Sequence, residues 1–139
     1  MNFIVKSETE LGEKIFAAIK NHLRSGFKCG LSGDLGAGKT TLVKYIAKKL
    51  GIKDEVTSPT FTLQKTYPLN GKYLQHIDFY RLSPNSFDLS EIKEWLDDER
   101  AITFVEWPEN LKLSPAVFDA FIRIEIVGQN KRKVSLKWK

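Results

Sequence analysis

The residues Gly33-Asp34-Leu35-Gly36-Ala37-Gly38-Lys39-Thr40 satisfy the pattern G-x-x-x-x-G-K-[ST] in full. Each residue type has a task in holding a polyphosphate. The glycines let the backbone turn so that successive N–H groups face phosphate oxygens. A helix opening near Gly38 adds its partially positive N-terminus. Lys39 reaches the outer phosphates as a point charge, and the Thr40 hydroxyl is placed to ligate Mg²⁺. Thr41, next on the helix, is within reach of an inner phosphate. The chance of such a match in so short a chain is about one percent, so the segment reads as a functional loop. The expected ligand is ATP or another nucleoside triphosphate, and the expected binding set is Gly33, Asp34, Leu35, Gly36, Ala37, Gly38, Lys39, Thr40 and Thr41.

A loop of this kind works with an acidic residue at a strand end, near the metal and the terminal phosphate. Two carboxylates qualify. Glu106 closes the apolar run Ala101 to Val105, and Asp78 closes the more polar run Tyr73 to Ile77. The two act together, one on the metal and one on the attacking water, or one of them is a surface or capping carboxylate; the pattern leaves the assignment open. Thr40 is the metal ligand expected from the loop pattern, and Asp78 and Glu106 are the expected catalytic pair.

Polar residues gather around Asp78. His76, Asp78 and Tyr80 share one face by period-two alternation, and Arg81 follows. With one cysteine in the chain and His22 far away, a zinc site is not indicated. Ser58-Pro59-Thr60 places hydroxyls on a loop, where Thr60 resembles a switch threonine close to Mg²⁺. The same tripeptide also fits a turn stiffened by proline.

The elements that must position these residues are legible. Ser7-Glu8-Thr9-Glu10 has the spacing of a capping box, and Leu11, Ile15, Ile19 and Leu23 recur every four residues until Gly26, predicting a helix of about four turns. Phe27 to Ser32 reads as a buried strand leading into the glycine-rich loop. Leu42, Val43, Ile46 and Leu50 then lie on one face of a helix ended by Gly51. Thr60 to Tyr67 and Lys72 to Asp78 are strand-like on either side of Pro68-Leu69-Asn70-Gly71, whose Asn-Gly signals a hairpin. A short helix over Asp88 to Leu96, a buried strand over Ala101 to Glu106, and a second hairpin follow. That hairpin joins Phe121–Val127 to the alternation of Val134, Leu136 and Trp138. The expectation is a single α/β domain over residues 1–139, a P-loop NTPase with a mixed parallel and antiparallel sheet flanked by helices.

A chain of 139 residues suits one domain, and 42% hydrophobic residues can supply its core. The lone Cys29 excludes an internal disulfide framework. No signal peptide or membrane-spanning run is evident, so the expected location is cytoplasmic. The net charge is +5, and its dense part is the tail: Lys131, Arg132, Lys133, Lys137 and Lys139. This tail is a candidate contact for RNA or an acidic partner; otherwise it is a soluble edge hairpin.

Four blocks in order carry a family resemblance: Gly-Asp-Leu-Gly-Ala-Gly-Lys-Thr-Thr-Leu (33–42), Ser-Pro-Thr-Phe-Thr-Leu (58–63), His-Ile-Asp-Phe-Tyr-Arg-Leu (76–82) and Val-Glu-Trp-Pro-Glu (105–109). The chain resembles the bacterial TsaE (YjeE) ATPases. That resemblance implies Mg-ATP binding and hydrolysis, ADP as product, and a role with the TsaB–TsaD pair in making threonylcarbamoyladenosine in tRNAs that read ANN codons. It implies that Lys39, Thr40 and Thr41 hold phosphates and metal and that Glu106 is a further metal or water ligand. Asp78 then sits at the site, and Thr60, with Ser58, in a switch-like loop. Contact with tRNA is indirect, or through the basic tail. One departure is Ser90-Glu-Ile-Lys-Glu-Trp95, where many members have a glycine, which puts the local partner surface in question. Two other functions fit the loop alone: a small-molecule kinase, and a nucleotide switch that does not hydrolyse. The arginines Arg24, Arg81, Arg100, Arg123 and Arg132 are well separated, whereas kinases of this size often carry an arginine-rich lid.

Overall fold

Ala101–Glu106 has no polar face to offer to water, and all six residues are buried in an inner strand covered on both sides. The computed structural model describes residues 1–59, 63–83, 85 and 88–139. Along the chain run β1 (Asn2–Val5), α1 (Glu8–Ile19), β2 (Lys28–Ser32), α2 (Lys39–Lys49), β3 (Gln64–Leu69), β4 (Lys72–Asp78), α3 (Leu89–Leu96), β5 (Ala101–Glu106), β6 (Ala120–Ile126) and β7 (Arg132–Trp138). The strands form one seven-stranded sheet in the order β1-β7-β6-β2-β5-β4-β3. Strands β6, β2, β5 and β4 are mutually parallel, and the pairs at each flank are antiparallel. The expected mixed α/β sheet is therefore present.

Period-two alternation sends side chains of the inner strands to two cores. Cys29, Leu31, Leu74, Phe104 and Ile122 pack with Leu11, Ile15, Leu42 and Ile46 of α1 and α2. On the opposite face Ile77 and Val105 pack with Phe79, Ile92, Leu96 and Phe118. Gly12 explains how α1 and α2 approach. A Cβ there would lie 2.5 Å from the Tyr45 ring, so the glycine, worth about 1 kcal/mol less than alanine in a helix, makes room for an aromatic.

Several boundaries differ from the sequence reading. Helix α1 stops at Ile19 and a 3-10 turn, Lys20–His22, takes its place, so the helix is shorter than the four-residue spacing suggests. Ser7 caps it as expected, accepting the Glu10 N–H at 3.0 Å, but the Glu10 carboxylate accepts from Lys6, not from Ser7. Pro68 belongs to β3, opposite Tyr73, and is tolerated because β3 is an edge strand. The turn is Asn70-Gly71 alone, both with positive φ, as a type I′ hairpin requires. The terminal hairpin is not an edge, because β1 pairs antiparallel with β7 and covers it. Among the described residues no helix is long and apolar enough to cross a membrane.

Candidate functional site

Parallel strands β2, β5 and β4 end together, with Leu31 opposite Glu106 and Glu106 opposite Asp78. The register puts both candidate carboxylates beside the loop that leaves β2, at the carboxyl edge of the sheet where open α/β folds take ligands. Both acids expected from the sequence are brought to one place.

The loop from Gly33 to Gly38 joins β2 to α2. Gly33 has φ +153, and a Cβ there would stand 2.4 Å from the Ile124 carbonyl oxygen, so only glycine lets the loop pass β6. Gly38, at φ +115, is the left-handed N-cap of α2 and turns the helix N-terminus toward the loop. Leu35, Gly36, Gly38, Lys39, Thr40 and Thr41 line a cleft of about 460 Å³ together with Ser58, Asp78, Arg81, Glu106 and Trp107. Asp34 lines a separate hollow with Glu109 and Arg123, and the Ala37 side chain is buried.

Lys39 is 4% exposed. Its ammonium donates to the carbonyl oxygens of Gly33 and Asp34 and lies 4.3 Å from the centre of the Trp107 ring. Burial pulls its pKa below the usual lysine range, against the opposing charges of Glu106, Asp78, Glu109 and Asp34. Thr40 Oγ1 donates to Glu106 Oε2 at 2.7 Å, and the same oxygen lies 2.5 Å from His76 Nε2. Asp78 accepts the Tyr80 N–H on Oδ1 at 2.9 Å and the Ser58 hydroxyl on Oδ2 at 3.2 Å. Burial pushes the Asp78 carboxyl up; the Tyr80 bond opposes this and the charge of Glu106 adds to it. Ser58 is thus joined to the site, whereas Thr60 lies outside the described residues.

The strand ends at Asp78, so Tyr80 is not carried on the same face by alternation. Phe79 instead turns into the second core, and the Tyr80 ring is 5.1 Å from that of Trp107. Trp107 holds φ +59, rare for a bulky residue, and its N–H donates to Leu31 at 3.1 Å. Sequence reasoning did not single out Trp107; its signal was a large aromatic directly after a buried strand-end acid. Cys29 is fully buried and its thiol pKa is pushed up, so it has no part in the site. Among the described residues no group of three His, Cys, Asp or Glu side chains forms a metal cage.

The family model described as threonylcarbamoyl adenosine biosynthesis protein TsaE matches residues 5–134. The chain belongs to the TsaE family. Relatives that carry the name tRNA threonylcarbamoyladenosine biosynthesis protein TsaE include one from Aquifex aeolicus, 41% identical over 96% of this chain and 92% of its own length. One from Bacillus subtilis is 35% identical over 92% of this chain and 78% of the relative. One from Haemophilus influenzae is 38% identical over 69% of this chain, a match that spans 62% of the relative's length. Among solved structures, the crystal structure of Bacillus subtilis YdiB superposes with a TM-score of 0.75 at 26% identity, covering 99% of this chain and 84% of the other.

The basic tail of the chain divides. Arg132 donates to the carbonyls of Gly36 and Ala37 and so ties β7 to the loop between β2 and α2. Lys133 and Lys137 alternate with the buried Val134 and Leu136 and are exposed on the opposite face of β7.

Proposed function

We propose that this chain is a Mg²⁺-dependent ATPase, weak alone, that supports threonylcarbamoyladenosine formation in ANN-decoding tRNAs together with TsaB and TsaD in the cytoplasm. One observation carries the ATPase reading. The Thr40 hydroxyl at the loop's helix start and the Glu106 carboxylate at the neighbouring strand end are 2.7 Å apart, beside a buried lysine. The family supports the tRNA role, since its members are described as threonylcarbamoyl adenosine biosynthesis proteins.

The donor set fits magnesium. Thr40 and Glu106 offer hard oxygens, and a small octahedral cation takes few protein ligands and completes its shell with phosphate and water. Mg²⁺ held there supplies Lewis-acid neutralisation of the outer phosphates. The chain does the rest. N–H groups of residues 33–38 and the α2 N-terminus bind phosphate oxygens, Lys39 gives up its loop carbonyls to the β- and γ-phosphates, and Thr41 takes an inner phosphate. Glu106, fixed by its hydrogen bonds, orients metal and water. Asp78, held above the usual carboxylate range, accepts the proton of the attacking water. ADP and phosphate then leave, and threonylcarbamoyl transfer belongs to TsaD.

Phosphate release from ATP with Mg²⁺, with and without TsaB–TsaD, tests this reading. Turnover should depend on Mg²⁺ and rise with the partners. Flat turnover together with no co-purification sinks the partnership, and a metabolite-dependent burst of ADP without partners replaces it with a kinase.

A further inference from the structure

We infer that Arg132 is a positioning residue for the phosphate loop, holding the Gly36 and Ala37 carbonyls outward so that the Gly38 N–H is set for phosphate before nucleotide arrives. The inference rests on the reading of residues 33–40 as a nucleotide site. A trans peptide points its N–H and C=O in opposite directions, so a loop that turns amides toward an anion turns carbonyls away from it. Those carbonyls need donors of their own.

Arg132 supplies them from across the fold. Its Nε donates to Ala37 O at 3.1 Å, and one terminal nitrogen reaches Gly36 O at 3.4 Å. The other terminal nitrogen donates to Gly128 O at 3.2 Å and Lys131 O at 3.1 Å, in the turn between β6 and β7. One planar fork thus ties the loop to that turn. Its mount is rigid, because Arg132 is paired on one side with Val5 of β1 and on the other with Ile126 of β6. Within the loop the Ala37 N–H donates to Asp34 O at 3.0 Å, so the peptide that Arg132 presents to phosphate is the one it holds through Ala37 O, whose N–H belongs to Gly38. Among the described residues no carboxylate pairs with Arg132, so the guanidinium is committed to carbonyls. Lysine carries the same charge on one nitrogen and cannot reproduce the fork.

Binding of Mg-ATP to the wild-type chain, Arg132→Ala and Arg132→Lys, measured by calorimetry beside the melting temperature of each without nucleotide, decides the matter. Both variants should bind about tenfold more weakly than wild type, with KM raised, kcat little changed and folding intact. Lysine should fail to rescue. Wild-type affinity in either variant overturns the inference, and so does full rescue by lysine, which would make the effect one of charge alone. A variant that only melts earlier, with affinity kept, also overturns it. If the wild-type chain itself binds no ATP, the underlying reading of the loop fails instead.

Discussion

His76 Nε2 lies 2.5 Å from Glu106 Oε2, with the two side chains 0% and 3% exposed. Among the described residues His76 Nδ1 has no hydrogen-bond partner. The network therefore assigns the ring proton to Nε2, which donates to the carboxylate. Thr40 donates to the same oxygen, so two elements, β4 and α2, fix an acid presented by a third. The pair aims Glu106 toward the cleft.

Removing the ring leaves a cavity and a buried carboxylate with one donor fewer. His76→Ala should cost about 3 kcal/mol, a fall in Tm of about 10 °C. Denaturant unfolding of His76→Ala, Glu106→Gln and the double variant measures the coupling. Additive losses would mean that the pair does not act as a unit.

Glu106→Gln keeps the size and an oxygen for Thr40 but removes the negative charge. ATP turnover should fall by about a hundredfold or more, while ATP affinity changes by only about a fewfold. Single-turnover phosphate release and equilibrium binding separate the two. A loss confined to affinity would assign Glu106 to nucleotide binding alone.

On the proposed ATPase reading, Lys39→Ala removes the main charge partner of the outer phosphates. Mg-ATP binding should weaken by about two orders of magnitude, and reconstituted tRNA modification should stop. Because Lys39 is buried against Trp107, the same variant should also lose stability by about 1 kcal/mol. Modification that persists with Lys39→Ala would argue against any use of ATP.

Asp78 titrates above the usual carboxylate range because it is partly buried. A raised folded pKa means that the native state holds this proton more tightly than the unfolded chain does. The group's contribution to stability is therefore fully present below the unfolded carboxylate pKa and is lost as pH rises through the folded one. Asp78→Asn should raise Tm by about 2 °C at neutral pH, with no gain below about pH 3. Thermal melts across that range read the effect, and a gain that grows toward acid would reverse the sign.

Truncation after Gly128 should abolish cooperative folding. It deletes β7, whose Val134 and Leu136 are 0% and 1% exposed and whose backbone pairs β6 with β1. Circular dichroism checks this, and a folded truncated chain would refute it. Charge contacts of the tail with tRNA are better tested by Lys133→Ser and Lys137→Ser, on the exposed face, at stated salt.

Local chemistry made much of this protein legible from its sequence. The loop pattern at 33–40, the capping serine at 7, the Asn70-Gly71 turn and the apolar strand 101–106 each depend on neighbours a few residues away. Short-range sterics and hydrogen bonding dictate such features. Strand β1 escaped notice because a four-residue strand has too little pattern of its own; its partner, β7, is over a hundred positions away.

The site needed the fold. Asp78 and Glu106 were readable as strand-end acids, but only the parallel register of β4, β5 and β2 sets them side by side at the loop. His76 against Glu106, Trp107 over Lys39 and Arg132 against Ala37 join residues 30, 68 and 95 positions apart. Sequence alone determined which residues could hold a phosphate. Tertiary structure decided which side chains hold those residues in place, because burial and strand order are set by the whole sheet and its two cores.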